Sequence, residues 1–416
     1  MLTLHDALDR LLAAATPVSG ERAIPTIACA GRVLAQEQRS AIAVPPLDNS
    51  AMDGYAFSHA DAVAAAGAAA GADGRVTLPI SQRITAGSVG LPLRPGTAAR
   101  IFTGAPIPPG ADTVLMQERT EADAEGQQVT LRDVPAAGTA VRRRGEDIGE
   151  GDTILPAGRK LTPQDVALAA SVGLATLPVY RRVRVAVFFT GDELRMPGEP
   201  LPPGAIYNSN RFALVALLER LGCEVKDLGQ VPDKLEATRT ALREAVQQAD
   251  LIVTSGGVSV GEEDHVKPAV EAEGRLDLWQ VAIKPGKPLA LGAVRGGDGP
   301  SGEVPFIGLP GNPVSSFVTF LTLVRPFVLK LQGVADAAPR SYPMRAGFSW
   351  TRPDPRRHEY LRVRLGDNGE LECFPNQGSG VLTSVAWADG LVENPPGTVI
   401  APGDIVRFLP LAELLG

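Results

Sequence analysis

Residues 179 to 335 alternate short apolar runs with longer amphipathic segments, and this alternation restricts the fold more than any other feature of the chain. The runs 183–189 and 251–253 are typical of buried strands, and the segment 210–222, which ends in glycine, is typical of a helix. Strands that alternate with helices in this way predict a mostly parallel sheet with helices on both faces. Ligands of such sheets bind at the carboxyl ends of the strands, so the loops that follow the strands are the first candidates for function.

The remainder of the chain shows other patterns. An amphipathic helix is predicted at residues 3–16, and short alternating runs separated by Gly and Pro predict a small all-β domain at 75–146. Strand-like alternation returns after residue 336 and predicts a small β-barrel. The expected fold class is therefore multidomain α/β plus β. We predict four domains: 1–38 with 147–178 (N-terminal helix and elongated linker domain), 39–146 (inserted β-rich domain), 179–335 (central three-layer α/β domain) and 336–416 (C-terminal β-barrel).

The loop Thr254–Asp264 follows one of the predicted strands and combines glycines, serines and three successive carboxylates. Its glycines let the backbone approach a ligand, and its hydroxyls and main-chain amides suit an anion. Carboxylates beside such a cradle make electrostatic sense when a cation bridges them to a phosphate, and Mg²⁺ is the usual cation. The structural alternative is a plain turn followed by acids at a helix start. The segment itself contains neither the Walker motif GxxxxGK[ST] nor the dinucleotide motif GxGxxG.

Other loops repeat this mixture of charge and glycine. Acids follow or precede glycine in the segments Ser50–Gly54, Arg142–Asp147 and Thr190–Glu193. Two lysines lie on the proline-rich loop Ile283–Pro288, where they suit an anion as point charges. The segment Leu309–Ser316 leads into a predicted helix, whose amino end also favours an anion. Each loop alone is as well explained by a turn or a solvated surface, but together they converge on one edge of the predicted sheet.

Bulk properties exclude several classes of function. The net charge of −7 and the pI near 5.3 argue against a nucleic-acid partner or an acidic membrane. The three cysteines lie far apart without a CxxC pair, which excludes a cysteine-based zinc site and fits a reducing cytosol. The amino terminus lacks the features of a signal peptide, and no apolar run is expected to reach the length of a membrane span, because Arg, Pro or Gly interrupts each one.

Six motifs, taken in order, resemble those of the molybdopterin molybdenumtransferases, the MoeA/gephyrin E-domain family: SAMDGYA, RRRGEDI, FFTGDEL, TSGGVSVGEED, IKPGKP and LPGNPVS. The resemblance covers nearly the whole chain. It implies a cytosolic, Mg²⁺-dependent enzyme that inserts molybdate into adenylylated molybdopterin and releases AMP. It also implies an elongated homodimer with the active cleft between protomers, and transient contact with other proteins of molybdenum cofactor biosynthesis.

The resemblance also assigns roles to individual residues. Catalytic roles fall on four residues: Asp53, Asp147, Glu193 and Lys284. The metal ligands are Asp264, Asp233 and Glu193. Substrate contacts fall on Thr103, Thr254, Ser255, Gly256, Gly257, Ser259, Lys287, Pro310, Asn312, Pro313, Arg362 and Ser379. Asp53, Thr103 and Asp147 are expected to come from the other protomer, and Gln280 stands where the family often has a lysine, which weakens the positive patch by one charge.

Two alternative functions remain open on the sequence alone. The first is a molybdopterin adenylyltransferase of the preceding step, whose fold resembles residues 179–335 but which consists of a single small domain. The second is a non-catalytic dimeric scaffold that binds a peptide. The additional β-domains argue against the first alternative, and the complete set of acids and lysines argues against the second.

Overall fold

The computed structural model describes residues 2–18, 20–68, 75–257, 265–297 and 302–415. The chain divides into two compact units. The larger unit contains residues 1–36, 157–163 and 176–416, and the smaller contains residues 37–156 and 164–175. The finer division into four domains stays a prediction.

A six-stranded sheet forms the centre of the larger unit. Four parallel strands lie side by side, in the order Glu224–Val231, Arg184–Thr190, Leu251–Ser255 and Glu303–Leu309. Two further strands extend the sheet beyond the last of these. Pro288–Arg295 pairs antiparallel with Glu303–Leu309, and Gly274–Gln280 pairs antiparallel with Pro288–Arg295. The predicted mostly parallel sheet is confirmed, and the α/β plus β fold class with it.

Both faces of this sheet are buried, as the continuous apolar runs predict. Val185 and Val187 pack on one face with the helices Ser209–Arg220 and Pro313–Thr319. The intervening Ala186 and Phe188 pack on the other face, because successive side chains of a strand point to opposite sides. Burial of each Val, Leu or Phe side chain contributes roughly 1.5–3 kcal/mol. The remaining helices of this unit are Leu4–Ala14, Leu235–Val246, Val266–Glu273, Leu382–Trp387 and Leu411–Leu415.

The helical segment from Pro313 to Leu331 is longer and less regular than a simple core helix. It consists of the α-helix Pro313–Thr319, a π-helical turn at Phe320–Val324 and the α-helix Arg325–Leu331. Pro326 cannot donate a main-chain hydrogen bond, so the wider turn ahead of it accommodates the missing donor. The expectation that no segment reaches the length of a membrane span was wrong, because this one does by length and composition. Nevertheless 83% of its most apolar 18-residue window is buried within the protein, as in a core helix.

The carboxyl-terminal part of the larger unit is a strand-rich domain. The pairing order is Leu371–Cys373, His358–Leu365, Gly390–Asn394, Ile405–Pro410 and Tyr342–Arg345. A bridge between Ala346 and Leu371 joins the two ends of this path, which closes the sheet into a small barrel. The short strand Ile283–Lys284 also joins this sheet, pairing in parallel with His358 and Glu359. Strand pairing therefore attaches the loop that carries the two lysines to the barrel.

The smaller unit is built on a second six-stranded sheet. It contains the helix His59–Ala68 and all of the helix Pro163–Ser171 except its first residue. Its strand order is Thr113–Met116, Gly54–Phe57, Ala98–Ile101, Val76–Ile84, Gln128–Leu131 and Thr120–Ala122. Gly54 lies where the central strands approach closely, since a Cβ there would stand 2.0 Å from the carbonyl oxygen of Leu115. Two strand pairs complete the unit: Gln38–Arg39 with Thr153–Leu155, and Asn49–Ser50 with Val141–Arg142.

Candidate functional site

A cavity of about 1030 Å³ opens at the carboxyl ends of the parallel strands in the larger unit. It is lined by the segments that follow all four parallel strands, by residues 206–210, by the loop of the two lysines, and by two segments of the barrel. The predicted site residues among its lining are Glu193, Asp233, Ser255, Gly256, Gly257, Lys284, Lys287, Pro310, Asn312, Pro313 and Ser379. The convergence of these loops on one sheet edge agrees with the rule for ligand sites in parallel sheets.

The turn after strand Leu251–Ser255 is shaped by its glycines. Gly256 and Gly257 have φ angles of 96° and 66°, which favour glycine, and a Cβ on Gly256 would stand 2.7 Å from the carbonyl oxygen of Thr190. The Ser255 hydroxyl accepts a hydrogen bond from Asn210 and donates one to the carbonyl of Pro310. This serine thus connects the turn after its own strand with the start of the helix Ser209–Arg220 and with the loop after Leu309. The predicted ligands Ser259 and Asp264 lie outside the described residues.

Thr254 does not line the cavity, contrary to the prediction. Its side chain is fully buried, and its hydroxyl donates a hydrogen bond of 2.9 Å to the carbonyl oxygen of Phe188. The hydroxyl therefore joins two neighbouring strands of the sheet and is not available to a substrate. The strand pattern could have shown this, because a residue inside an apolar strand is buried when both faces of the sheet are covered.

Acidic side chains form one wall of the cavity. Glu193 and Asp233 both line it, and Asp192 accepts the main-chain N–H of Asp233 at 3.3 Å. The carboxylate of Glu193 lies against Gly191, where a Cβ would approach its Oε2 atom to 2.7 Å. Gly191 also has a φ angle of 140°, so the close approach and the backbone both require glycine. Within the described ranges, no group of three or more His, Cys, Asp or Glu side chains is placed to hold a metal ion.

The two predicted lysines differ in their surroundings. The ammonium of Lys284 donates a hydrogen bond of 2.9 Å to Glu359, whose side chain is only 2% exposed. Trp350 donates to the other oxygen of the same carboxylate at 2.7 Å. Lys287 is exposed and has no acidic partner among the residues that the structure describes. The charge of Lys284 is therefore oriented and neutralised by Glu359, whereas Lys287 has no such counter-ion in the described part of the chain.

The sequence analysis missed Glu359, which lies behind the cavity as the partner of Lys284, and the lining residue Arg357. Glu359 is buried near the start of the strand His358–Leu365, where an acid within a strand could have indicated a buried partner. Arg357 also lines the cavity, and Asp354 holds its guanidinium with a hydrogen bond of 2.8 Å. These two residues add one buried acid and one cation to the barrel side of the site.

Arg362 is buried below the barrel loop and does not line the cavity, which corrects the prediction of a direct substrate contact. Its guanidinium donates to the carbonyl of Tyr360 and to the hydroxyl of Ser384, and its main-chain N–H donates to the side chain of Gln377. Burial lowers the pKa of this guanidinium to about 10. Arg362 therefore supports the loop from beneath, while Ser379 lines the cavity and accepts the main-chain N–H of Val314.

Buried polar atoms without a hydrogen-bond partner in the described part of the chain occur at the cavity. The hydroxyl of Thr190 and the side-chain nitrogen of Asn208 find none within the described part of the chain. Both residues line the cavity. Buried polar groups are almost always hydrogen-bonded, so these two point to a ligand or to ordered water.

Asp53, Thr103 and Asp147 belong to the smaller unit. The carboxylate of Asp53 accepts hydrogen bonds of 2.7 Å from both the main-chain N–H and the hydroxyl of Thr103. These bonds lower the pKa of Asp53, so the exposed carboxylate is ionised at neutral pH. Asp147 is also exposed, and its main-chain N–H donates to the carbonyl of Val44. The structure thus brings Asp53 and Thr103 together as one polar group.

Three family models match the chain in succession. Residues 2–173 match the MoeA N-terminal region (domain I and II), residues 186–330 a probable molybdopterin binding domain, and residues 344–411 the MoeA C-terminal region (domain IV). Together these matches account for most of the sequence.

Curated relatives and a solved structure point the same way. A molybdopterin molybdenumtransferase from Haemophilus influenzae is 42% identical over 334 residues, which cover 80% of this chain and 78% of that protein. One from a Nostoc species is 36% identical over 389 residues, which cover 92% and 86%. The crystal structure of a molybdopterin biosynthesis MoeA protein from Pyrococcus horikoshii superposes with a TM-score of 0.79 at 30% identity and covers 99% of both chains.

Proposed function

Because this chain belongs to the molybdopterin molybdenumtransferase (MoeA) family, we propose that it inserts molybdate into adenylylated molybdopterin, releasing AMP and giving molybdenum cofactor. The observation that carries this proposal is the cavity at the strand ends, where acidic and basic side chains line one space. A site for two anionic substrates needs cations and main-chain amides to hold them, and carboxylates to hold a metal ion. We place the reaction in the cytoplasm, supplied by transient contact with other proteins of cofactor biosynthesis.

Cations and hydrogen-bond donors of the cavity lining hold the anions. Lys287 supplies the free positive charge, and Lys284 adds an ammonium fixed in direction by Glu359. The unpartnered donors of Thr190 and Asn208 offer two more hydrogen bonds. Holding both reacting groups in one geometry converts a bimolecular step into an effectively unimolecular one. Cleavage of the phosphoanhydride then depends mainly on positioning and charge neutralisation.

The acidic wall fits a magnesium ion. Mg²⁺ commonly takes one or two protein carboxylates and completes its shell with water and substrate phosphate oxygens. Glu193 and Asp233 line the same cavity and are the described candidates, and Asp264 is the third proposed ligand. When bound, the ion supplies charge neutralisation at the phosphates, which lets acids and anions share the cavity.

We further propose that the enzyme is a homodimer and that Asp53, Thr103 and Asp147 of a second copy complete each site. Mixed subunits test this directly. Asp53→Asn and Lys284→Met homodimers should each be inactive, but after subunit exchange about a quarter of all sites should be intact, since half of the dimers are mixed and each has one unmodified site. Mixtures that stay inactive after verified exchange contradict the shared site, and a monomeric mass in light scattering contradicts the dimer.

The reaction itself is tested with purified wild-type protein. Release of AMP from adenylylated molybdopterin on addition of molybdate and Mg²⁺ supports the proposal. Adenylylation of molybdopterin from ATP instead supports the adenylyltransferase alternative. If neither reaction occurs with protein that binds the pterin, the scaffold alternative is favoured.

A further inference from the structure

A second cavity lies at the opposite edge of the central sheet, at the amino ends of its strands. Its volume is about 350 Å³, and its charged lining consists of Arg22, Arg32, Arg181, Arg182, Arg184 and Glu224. Arg184 and Glu224 begin two adjacent parallel strands, whereas the functional site lies where those strands end. The cavity is therefore separate from the proposed reaction site.

Two of these arginines already have a carboxylate partner. Arg181 donates two hydrogen bonds of 2.6 and 2.8 Å to Asp250, and Arg184 donates to the same carboxylate at 2.9 Å. Burial opposes ionisation of Asp250, but the hydrogen bonds from both arginines outweigh it and lower the pKa of the carboxyl to about 2. Asp250 is thus negative at neutral pH and balances only part of the charge.

Three arginines remain for one exposed glutamate. Arg32 is half-buried and fixed by a hydrogen bond of 2.8 Å to the carbonyl oxygen of Tyr180, which carries no net charge. Burial and the neighbouring Arg182 lower the pKa of Arg32. Arg22 and Arg182 have no carboxylate partner among the described residues. Across the whole cluster, five guanidiniums face the carboxylates of Glu224 and Asp250, which leaves an excess of three positive charges.

The shape of the cavity restricts what could balance this charge. Its volume is at the lower end of the range for small-molecule sites, which is roughly 300–1,000 Å³. Ile24 lies on the same face of the strand Glu21–Pro25 as Arg22 and gives the lining an apolar side. Guanidiniums bind the oxygens of phosphate in pairs and with defined geometry. A small anion with an organic part satisfies the charge and the apolar side together.

We propose that this cavity is a second binding site, for a doubly charged phosphate group carried by a small molecule or present as inorganic phosphate. The site is independent of the proposed reaction, because its residues lie at the other edge of the sheet. Arg32 and Arg182 contact the phosphate, Arg22 closes the cavity, and Ile24 packs against the organic part of an ester.

Equilibrium dialysis with radiolabelled inorganic phosphate and with AMP tests the proposal at fixed ionic strength. Arg182→Met and the double variant Arg22→Met/Arg182→Met alter exposed residues, so they should fold, whereas Arg32→Met removes a half-buried hydrogen bond as well. We expect each of the first two variants to weaken binding at this site at least roughly tenfold. Arg340→Met, which changes an exposed arginine outside both cavities, should leave binding unchanged.

Lys287→Met separates the two sites, because it removes a cation from the reaction cavity only. It should leave one class of phosphate or AMP binding intact, and the arginine variants should abolish that class while retaining molybdate-dependent AMP release. Tighter binding of AMP than of phosphate identifies an ester as the ligand, and equal binding identifies the free anion. Binding that is unchanged in the double arginine variant, or reduced equally by Arg340→Met, would overturn the proposal.

Discussion

The Lys284–Glu359 pair gives a prediction whose magnitude follows from burial. The side chain of Lys284 is 40% exposed and that of Glu359 is 2% exposed. Lys284→Met therefore leaves a carboxylate buried without its ion partner, whereas Glu359→Gln leaves an ammonium that can turn to solvent. The two changes remove the same interaction but leave different charges without a partner.

Removing one partner of a fully buried pair costs about 3–5 kcal/mol. Here Trp350 still donates to Glu359 at 2.7 Å in the Lys284→Met variant, so we expect a loss of roughly 2–3 kcal/mol. Glu359→Gln keeps an oxygen acceptor for Trp350 and leaves only the half-exposed ammonium of Lys284 unpaired. We therefore expect the unfolding free energy to fall by about 1 kcal/mol. The double variant Lys284→Met/Glu359→Gln leaves no unpaired charge and should be more stable than Lys284→Met alone.

The measurement is denaturant unfolding of all four proteins, followed by tryptophan fluorescence, since Trp350 lies in the pair itself. The coupling energy from the double-mutant cycle reports the pair directly. Equal stabilities of Lys284→Met and Glu359→Gln, or single effects that simply add in the double variant, would refute the reasoning from burial.

Three further predictions concern titrating groups. The pKa of Asp250 is about 2 in the folded protein, against an ordinary value of 3.8. Above about pH 4 the unfolding free energy of wild type should therefore exceed that of Asp250→Asn by about 1–2 kcal/mol, after allowance for solvent screening. Acid denaturation should show this difference disappear as the pH falls through about 2, and a difference that persists there contradicts the prediction. Thr103→Val removes one of the hydrogen bonds that lower the pKa of Asp53, so that pKa should rise in a carbon-13 NMR titration of the carboxyl. Burial raises the pKa of Cys223 to about 12 and that of Cys373 to about 11, so both thiols should react slowly with a disulfide reagent near pH 8 until the protein is unfolded; rapid reaction in the native state would contradict their burial.

Much of the fold and the position of the site could be predicted, because both follow from local pattern and sheet topology. The alternation of strands and helices fixes the parallel sheet, and the sheet brings loops that are distant in sequence to one edge. Glu193, Asp233 and Lys287 lie at that edge for this reason. The glycines of the turn after Ser255 were also readable, since their positive φ angles and close backbone contacts need that residue.

The side-chain partners could not be predicted, because they depend on packing between distant segments. Glu359 lies 75 residues from Lys284 in sequence, and nothing near either residue indicates the other. The resemblance predicts that Arg362 contacts substrate, yet the barrel buries it under the loop of Gln377. Thr254 was predicted to be a substrate contact in a loop, but it lies within the strand Leu251–Ser255 and its hydroxyl bonds to the neighbouring strand. Family resemblance supplies positions, and the packing decides which of them face the substrate.

The most direct test of the central claim measures molybdate-dependent AMP release by Lys287→Met. Lys287 lines the cavity and is exposed, so its removal should leave the unfolding free energy within about 0.5 kcal/mol of wild type. We predict a loss of at least roughly tenfold in kcat/KM, because the substrate phosphate loses a charged donor. Lys226→Met, which changes an exposed lysine that does not line the cavity, is the matched control and should retain full activity. Wild-type activity in Lys287→Met, or an equal loss in Lys226→Met, would contradict the assignment of this cavity as the reaction site.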